Sequence, residues 1–264
     1  IYPGMQFTAV FIKQFVSMSL NDVCCYIPAW FGVITTFVTG LIAYEANIPQ
    51  NASLTLWKLL KLWLNGTPLA LASKSSPGWL SSPAVECGVV AAAMMSIVPA
   101  HLTRSMGGGY DNESVAVFAM VTTFYFWMRS LRNNASKLWG VATGLAYFYM
   151  VAAWGGYVFV LNLIGVHAAV LVLFGRFRPQ VYWAYTIFYV VGTTLAIQVP
   201  VVGWAPLKSL EQLGAFVVFA GYQLLLVTES LIAQKRTKKH VSWKQAWMFR
   251  IQVGLVAAAL AFLV

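Results

Sequence analysis

Between Lys137 and Arg176 run 38 residues, 138–175, without a single Asp, Glu, Lys or Arg. A run that long has no polar face to turn towards water. A bilayer crossing needs about 20 mostly apolar residues, so the run is too long for one helix and sufficient for two. Its midpoint falls on Trp154-Gly155-Gly156-Tyr157, where two glycines can turn the backbone. This predicts two membrane spans, 138–153 and 158–175, joined by a tight turn.

Further apolar stretches lie at 23–44, 85–103, 115–131, 181–200, 213–233 and 248–264. The expected fold is therefore all-α, a polytopic transmembrane helical bundle of about eight spans. Composition agrees: charged residues make up 9% of the 264, against about 25% in soluble domains. So few charges could not cover a soluble surface, and an apolar share of 60% excludes disorder. Three cysteines exclude a disulfide-rich module. The chain opens at Ile1 without Met or a signal-peptide pattern and ends inside an apolar run, so we expect a fragment of a longer protein.

Alternating the spans sorts the charges. With Asp22 on one side, 14 of the 17 basic residues fall on the other, leaving only Lys13, Arg104 and Lys208 behind. By the positive-inside rule the basic side is cytoplasmic. The net charge of +10 then reports membrane orientation and not nucleic-acid binding. Asp22, Asp111, Glu113 and Glu211 collect on the opposite face. Orientation does not require this, because acids weigh little in the rule. Their grouping points to cation binding or chemistry there.

Other segments have simpler readings. Residues 1–22 are expected to form the end of a lumenal loop carrying an amphipathic surface helix. Residues 45–84 read as a cytoplasmic insert, with an interfacial Trp- and Leu-rich helix at 56–64 and a Ser/Pro loop at 73–83. The basic run at 235–239 suits a juxtamembrane anchor at anionic lipid. Cys24, Cys25 and Cys87 fit no metal or redox spacing, and His101, His167 and His240 form no ligand pair. Four N-x-S/T sequons begin at Asn51, Asn65, Asn112 and Asn134; three are cytoplasmic in this topology, and none is expected to carry glycan.

The segment 104–114 stands apart. Arg104-Ser105-Met106 leads into Gly107-Gly108-Gly109, then Tyr110-Asp111-Asn112-Glu113-Ser114. Asp111 and Glu113 are two apart, and in extended or irregular backbone that spacing lets both carboxylates face one point. Two oxygen donors on a short loop suit Mg²⁺ or Mn²⁺, with other ligands supplied from elsewhere. The same residues also suit a plain helix start, since Asp and Asn are good N-caps and acids favour the first turn. Arg104 is equally a snorkelling anchor. Trp154 and Tyr157 on the same face also belong naturally to an interfacial aromatic belt.

The segment resembles the second acidic motif of the catalytic subunit of eukaryotic oligosaccharyltransferase. Further matches run in the same order: Tyr2-Pro3-Gly4, Asp22-Val23-Cys24, Ile97-Val98-Pro99, Tyr147-Phe148-Tyr149-Met150-Val151, Ala153-Trp154-Gly155-Gly156-Tyr157-Val158-Phe159 and Gln198-Val199-Pro200. Met106, Gly107 and Gly109 depart from the eukaryotic pattern, and the insert at 45–84 is longer than expected. The resemblance implies transfer of an oligosaccharide from dolichyl-diphosphate to Asn in N-x-S/T sites, at the lumenal face of the endoplasmic reticulum membrane. It implies catalytic roles for Asp111, Glu113 and Arg104, with Asp111 and Glu113 as ligands to Mn²⁺ or Mg²⁺. It places Trp154 and Tyr157 near the lipid-linked donor. Its partners would be the acceptor polypeptide, other subunits, the protein-translocation channel, the ribosome and membrane lipid. The first acidic motif, an external-loop glutamate and the soluble lumenal C-terminal domain would lie outside these 264 residues.

Two other readings use the same features. A transporter or channel could place a cation at the lumenal acids, but no inverted repeat is visible. A non-catalytic translocon scaffold could use the basic run and the Trp-rich insert for docking. Cation-dependent flux would single out the first, and intact glycosylation without the acids the second.

Overall fold

The computed structural model describes residues 2–48, 83–132, 136–236 and 248. The helix at 56–64, most of the loop at 73–83, most of the basic run at 235–239, nearly all of the span 248–264 and the sequons at Asn51, Asn65 and Asn134 lie outside them. The described residues form α-helices joined by short turns, with no strand among them. In chain order they are α1 (Gly4–Lys13), α2 (Leu20–Asn47), α3 (Pro83–Ile97), α4 (Pro99–Arg104), α5 (Asn112–Ser130), α6 (Ser136–Ala153), α7 (Tyr157–Leu173), α8 (Pro179–Ile197), α9 (Ala205–Lys208) and α10 (Leu210–Arg236).

The stops follow local chemistry. Ser19 and Asp22 form a reciprocal capping box that opens α2, satisfying two orphan donors of its first turn. Asp22 is thereby occupied as a cap. The expected single helix 85–103 is broken at Val98, which is extended (φ −63°, ψ 120°). A residue before proline avoids the α region, and Pro99 has no N–H to continue the ladder. Helices α6 and α7 divide the uncharged run, with Trp154-Gly155-Gly156 between them.

Two helices have the length and hydropathy to cross a bilayer by themselves: α2, and α10 over Leu210–Glu229. The α3, α5, α6, α7 and α8 helices have 15 to 19 residues. At 1.5 Å per residue they reach about 22–29 Å, short of the ~30 Å hydrocarbon layer. Length and composition thus sustain two crossings, with α3 and α7 as shorter apolar helices, where the apolar runs had led us to expect eight.

Helix α2 packs between α3 and α5; α5 continues onto α6, and α6 onto α8, while α7 pairs with α10. Close crossings use small residues, which let backbones approach. A Cβ on Gly40 of α2 would sit 2.9 Å from the Gly88 carbonyl oxygen of α3. Gly140 and Gly144 of α6 meet Ala184 and Val191 of α8 in the same way. The interior is aromatic, with Tyr147, Tyr185, Phe188 and Tyr222 fully buried. His167 on α7 is taken up here, accepting from Trp127 Nε1 at 3.0 Å.

Helix α1 lies over α2, α5 and α6. It buries Met5 and Ala9, and its exposed side carries Phe7, Val10 and Phe11. Gln6 and Lys13 are exposed as well, so apolar and polar side chains share the outward side.

At the far end of α2 the structure buries a charge cluster. Glu45, 1% exposed, receives Arg129 Nη1 on both carboxylate oxygens at 3.0 Å. Arg132 Nε stands 3.6 Å away, and Arg132 also donates to the Ile48 carbonyl at 2.9 Å. Two of the basic residues sorted to the cytoplasmic side are thus partnered in the interior.

Candidate functional site

The acidic loop is built between two helices. Helix α4 ends at Arg104, and the chain turns through Met106 to Gly109 with Gly108 at φ +88°. That left-handed value is open to glycine and costly for other residues. Asp111 is extended (φ −128°, ψ 145°) and α5 begins at Asn112. Asp111 therefore stands at the N-cap position, yet its carboxylate makes no capping hydrogen bond. It accepts from Arg104 Nη1 at 3.1 Å instead, while Arg104 Nε reaches Glu113 Oε2 at 2.6 Å. One guanidinium spans both carboxylates. The extended backbone at Asp111 and the helical start at Asn112 bring the two acids to the same side, and the positive end of α5 favours their charge.

These three side chains are solvent-accessible: 48% for Arg104, 52% for Asp111 and 29% for Glu113. Exposed ion pairs contribute about 0–1 kcal/mol. The arrangement is therefore poor as a stabilising device and well placed to meet a substrate or ion. As hard oxygen donors, Asp111 and Glu113 suit a divalent cation. Among the described residues no group of three or more Asp, Glu, His or Cys converges.

The other candidates expected on that face have different surroundings. Glu211 opens α10, where its carbonyl accepts from Asn162 Nδ2 at 2.7 Å. Trp154 is 38% exposed, and its ring lies over Gly156, leaving no room for a Cβ there. Tyr157 is only 5% exposed, packs on Tyr147 at 6.3 Å between ring centroids, and accepts from Gln212 Nε2 at 3.3 Å. Of the two aromatic candidates, Trp154 is exposed and Tyr157 belongs to the core.

The loop rests on α2. Gly108 N–H donates to the Cys25 carbonyl at 2.8 Å. Burial and a hydrogen bond with the Cys24 side chain push the Tyr110 hydroxyl up to about 12. Tyr110 consequently stays neutral through the range in which proteins work. Pro28 lies within α2 and supplies no N–H to the Cys24 carbonyl one turn earlier, so the helix is opened where the loop docks.

Residues 84–264, which include this loop, match the family model for the N-terminal region of oligosaccharyl transferase STT3. The chain belongs to the STT3 family. It is similar to the dolichyl-diphosphooligosaccharide–protein glycosyltransferase STT3 subunits of Schizosaccharomyces pombe (36% identity over 229 residues) and Dictyostelium discoideum (34% over 229 residues). In each case 85% of this chain is covered, with 26% and 27% of the relative. The Saccharomyces cerevisiae subunit is 32% identical over 227 residues, covering 80% of this chain and 31% of its own length. The chain thus spans between a quarter and a third of these STT3 subunits.

Two polar clusters escaped the reading of the sequence. The Glu45 pair joins residues 84 positions apart, and the visible signal was an acid closing an apolar run that faces two arginines closing another. His101 is 8% exposed; the signal was a histidine one helical turn before Arg104.

Proposed function

We propose that this protein is part of a membrane oligosaccharyltransferase that transfers an oligosaccharide en bloc from a dolichyl-diphosphate carrier to the amide nitrogen of Asn in N-x-S/T sites. The observation that carries this reading is the Asp111–Arg104–Glu113 constellation within a stretch matching the STT3 family. The reaction forms a bond from the anomeric carbon to nitrogen and breaks the bond to the departing diphosphate oxygen. In-line attack inverts the anomeric centre.

Asp111 and Glu113 would hold Mn²⁺ or Mg²⁺, which offsets charge on the departing diphosphate. Arg104 keeps the two carboxylates together and balances their charge. Trp154 offers an apolar surface beside the lipid-linked donor. Ligands and sequon-reading groups beyond these residues would come from other parts of the full-length protein and its companion subunits. We place the site on the lumenal face of the endoplasmic reticulum membrane, with α2 and α10 as complete spans. Helices α3–α4, α5, α6, α7 and α8 would cross as parts of one bundle.

In the full-length protein, Asp111→Ala and Glu113→Ala are each expected to lower transfer about 10²–10³-fold while leaving the protein in the membrane. Near-normal glycoprotein occupancy in both variants would refute the assignment and favour a scaffold.

A further inference from the structure

The histidine that no part of the transfer reaction uses is buried against the helix on which the acidic loop rests. His101 Nε2 lies 3.2 Å from the Gly32 carbonyl oxygen and 3.3 Å from Thr36 Oγ1. A carbonyl only accepts, so Nε2 carries the hydrogen and Nδ1 is the acceptor. Nδ1 faces the Ser105 hydroxyl at 3.5 Å, a long contact. Thr36 Oγ1 donates to the same Gly32 carbonyl at 3.0 Å. Both ring nitrogens therefore have a role in the neutral form, one towards α2 and one towards the start of the loop.

Gly32 is what permits the approach. A Cβ there would stand 2.6 Å from Ser105 Cβ, too close for any real pair of atoms. From this point the loop runs back along α2. Ser105 sits at Gly32, Gly108 bonds Cys25, and Tyr110 comes beside Cys24. Eight residues of helix separate Gly32 from Cys24, a rise of about 12 Å. Asp111 follows at once. His101 thus fixes the upper end of the rail, three residues before Arg104.

We propose that His101 is a positioning residue of the transfer site: its Nε2–Gly32 bond, made where Ser105 packs on Gly32, sets where Arg104, Asp111 and Glu113 stand relative to one another. The proposal rests on reading the acidic pair as the metal-holding part of that site. Groups that orient ligands from behind are worth about 10–100-fold in metal affinity or activity.

The test uses full-length protein in its native complex, with Mn²⁺ binding followed by electron paramagnetic resonance and transfer kinetics measured in parallel. His101→Gln can place an amide N–H near the Nε2 position and keep the Gly32 bond. His101→Asn is polar but too short to reach it, and His101→Leu removes both contacts. Gln should bind Mn²⁺ within about twofold of the natural protein, whereas Asn and Leu should bind about tenfold more weakly. Turnover should fall with the same ordering, at unchanged acceptor KM. If His101→Leu does not accumulate, the Gln and Asn variants decide. Equal behaviour of that pair, or natural Mn²⁺ binding and turnover in Asn, overturns the proposal. Asp111→Asn belongs in the same titration: undiminished Mn²⁺ binding there refutes the metal reading itself, and the turnover ordering of the His101 series then stands as its own test.

Discussion

Glu45→Gln should be the most destabilising single change at any charged position described above. The carboxylate is 1% exposed and accepts twice from Arg129 at 3.0 Å, with Arg132 at 3.6 Å. Two guanidinium charges against one carboxylate leave a local +1, and neutralising Glu45 raises it to +2. At about 4 Å between charge centres and an effective dielectric of about 20, the lost attraction is about 4 kcal/mol. Removing one partner of a buried pair costs about 3–5 kcal/mol by direct measurement in other proteins, so the two routes agree. A loss of 4 kcal/mol is nearly a thousandfold in the folding equilibrium, at about 1.4 kcal/mol per factor of ten. The assay is thermal unfolding of the full-length protein in detergent, followed by the fraction still monodisperse after heating. The cycle Glu45→Gln, Arg129→Gln and the double variant isolates the pair. The double variant should be no worse than the worse single, because it removes a charge together with its counter-charge. Turnover per folded molecule should be unchanged, since Glu45 lies 20 residues along α2 from Cys25, about 30 Å away. Effects that add within about 0.5 kcal/mol, or a Glu45→Gln protein that melts normally, would refute the reasoning.

Arg104→Lys should lower transfer about tenfold with little change in melting, because an ammonium cannot span two carboxylates as a guanidinium does and the pairs are too exposed to stabilise much. A melting loss as large as that of Glu45→Gln would contradict this account. Gly108→Ala meets no atom within 4 Å, so its effect isolates the backbone: φ of +88° should cost about 1–2 kcal/mol. Limited proteolysis at the loop should be faster and turnover lower; an unchanged loop would show that the left-handed turn is dispensable.

Several elements were legible because their causes are local. The turn at Gly155-Gly156 lies at the midpoint of an uncharged run. The break at Val98 is just as local, yet the apolar run 85–103 was taken as one helix across Pro99. The capping box of Ser19 and Asp22 is a four-residue pattern, although Asp22 had been grouped with the acids expected to be lumenal as a sign of cation chemistry. The pair Asp111 and Glu113 was equally visible. Its choice between helix cap and ligand was not, since both use the same residues at the same spacing. The structure shows only which contacts are made: Asp111 holds the N-cap position without a cap hydrogen bond, and Arg104 pairs with both carboxylates.

The sequence by itself determined the all-helical class, the uneven distribution of charge and the acidic loop with its glycines. Periodicity, apolar length and short-range hydrogen bonding act within a few residues and can be read directly. Only the tertiary structure decided that Tyr157 faces the core while Trp154 faces out, that Glu45 neutralises an arginine 84 residues away, and that His101 reaches Gly32. Those outcomes depend on which helices pack and at what separation. Small residues such as Gly32, Gly40 and Gly88 set that separation through close contacts, and a contact between distant segments leaves no spacing in either of them to read.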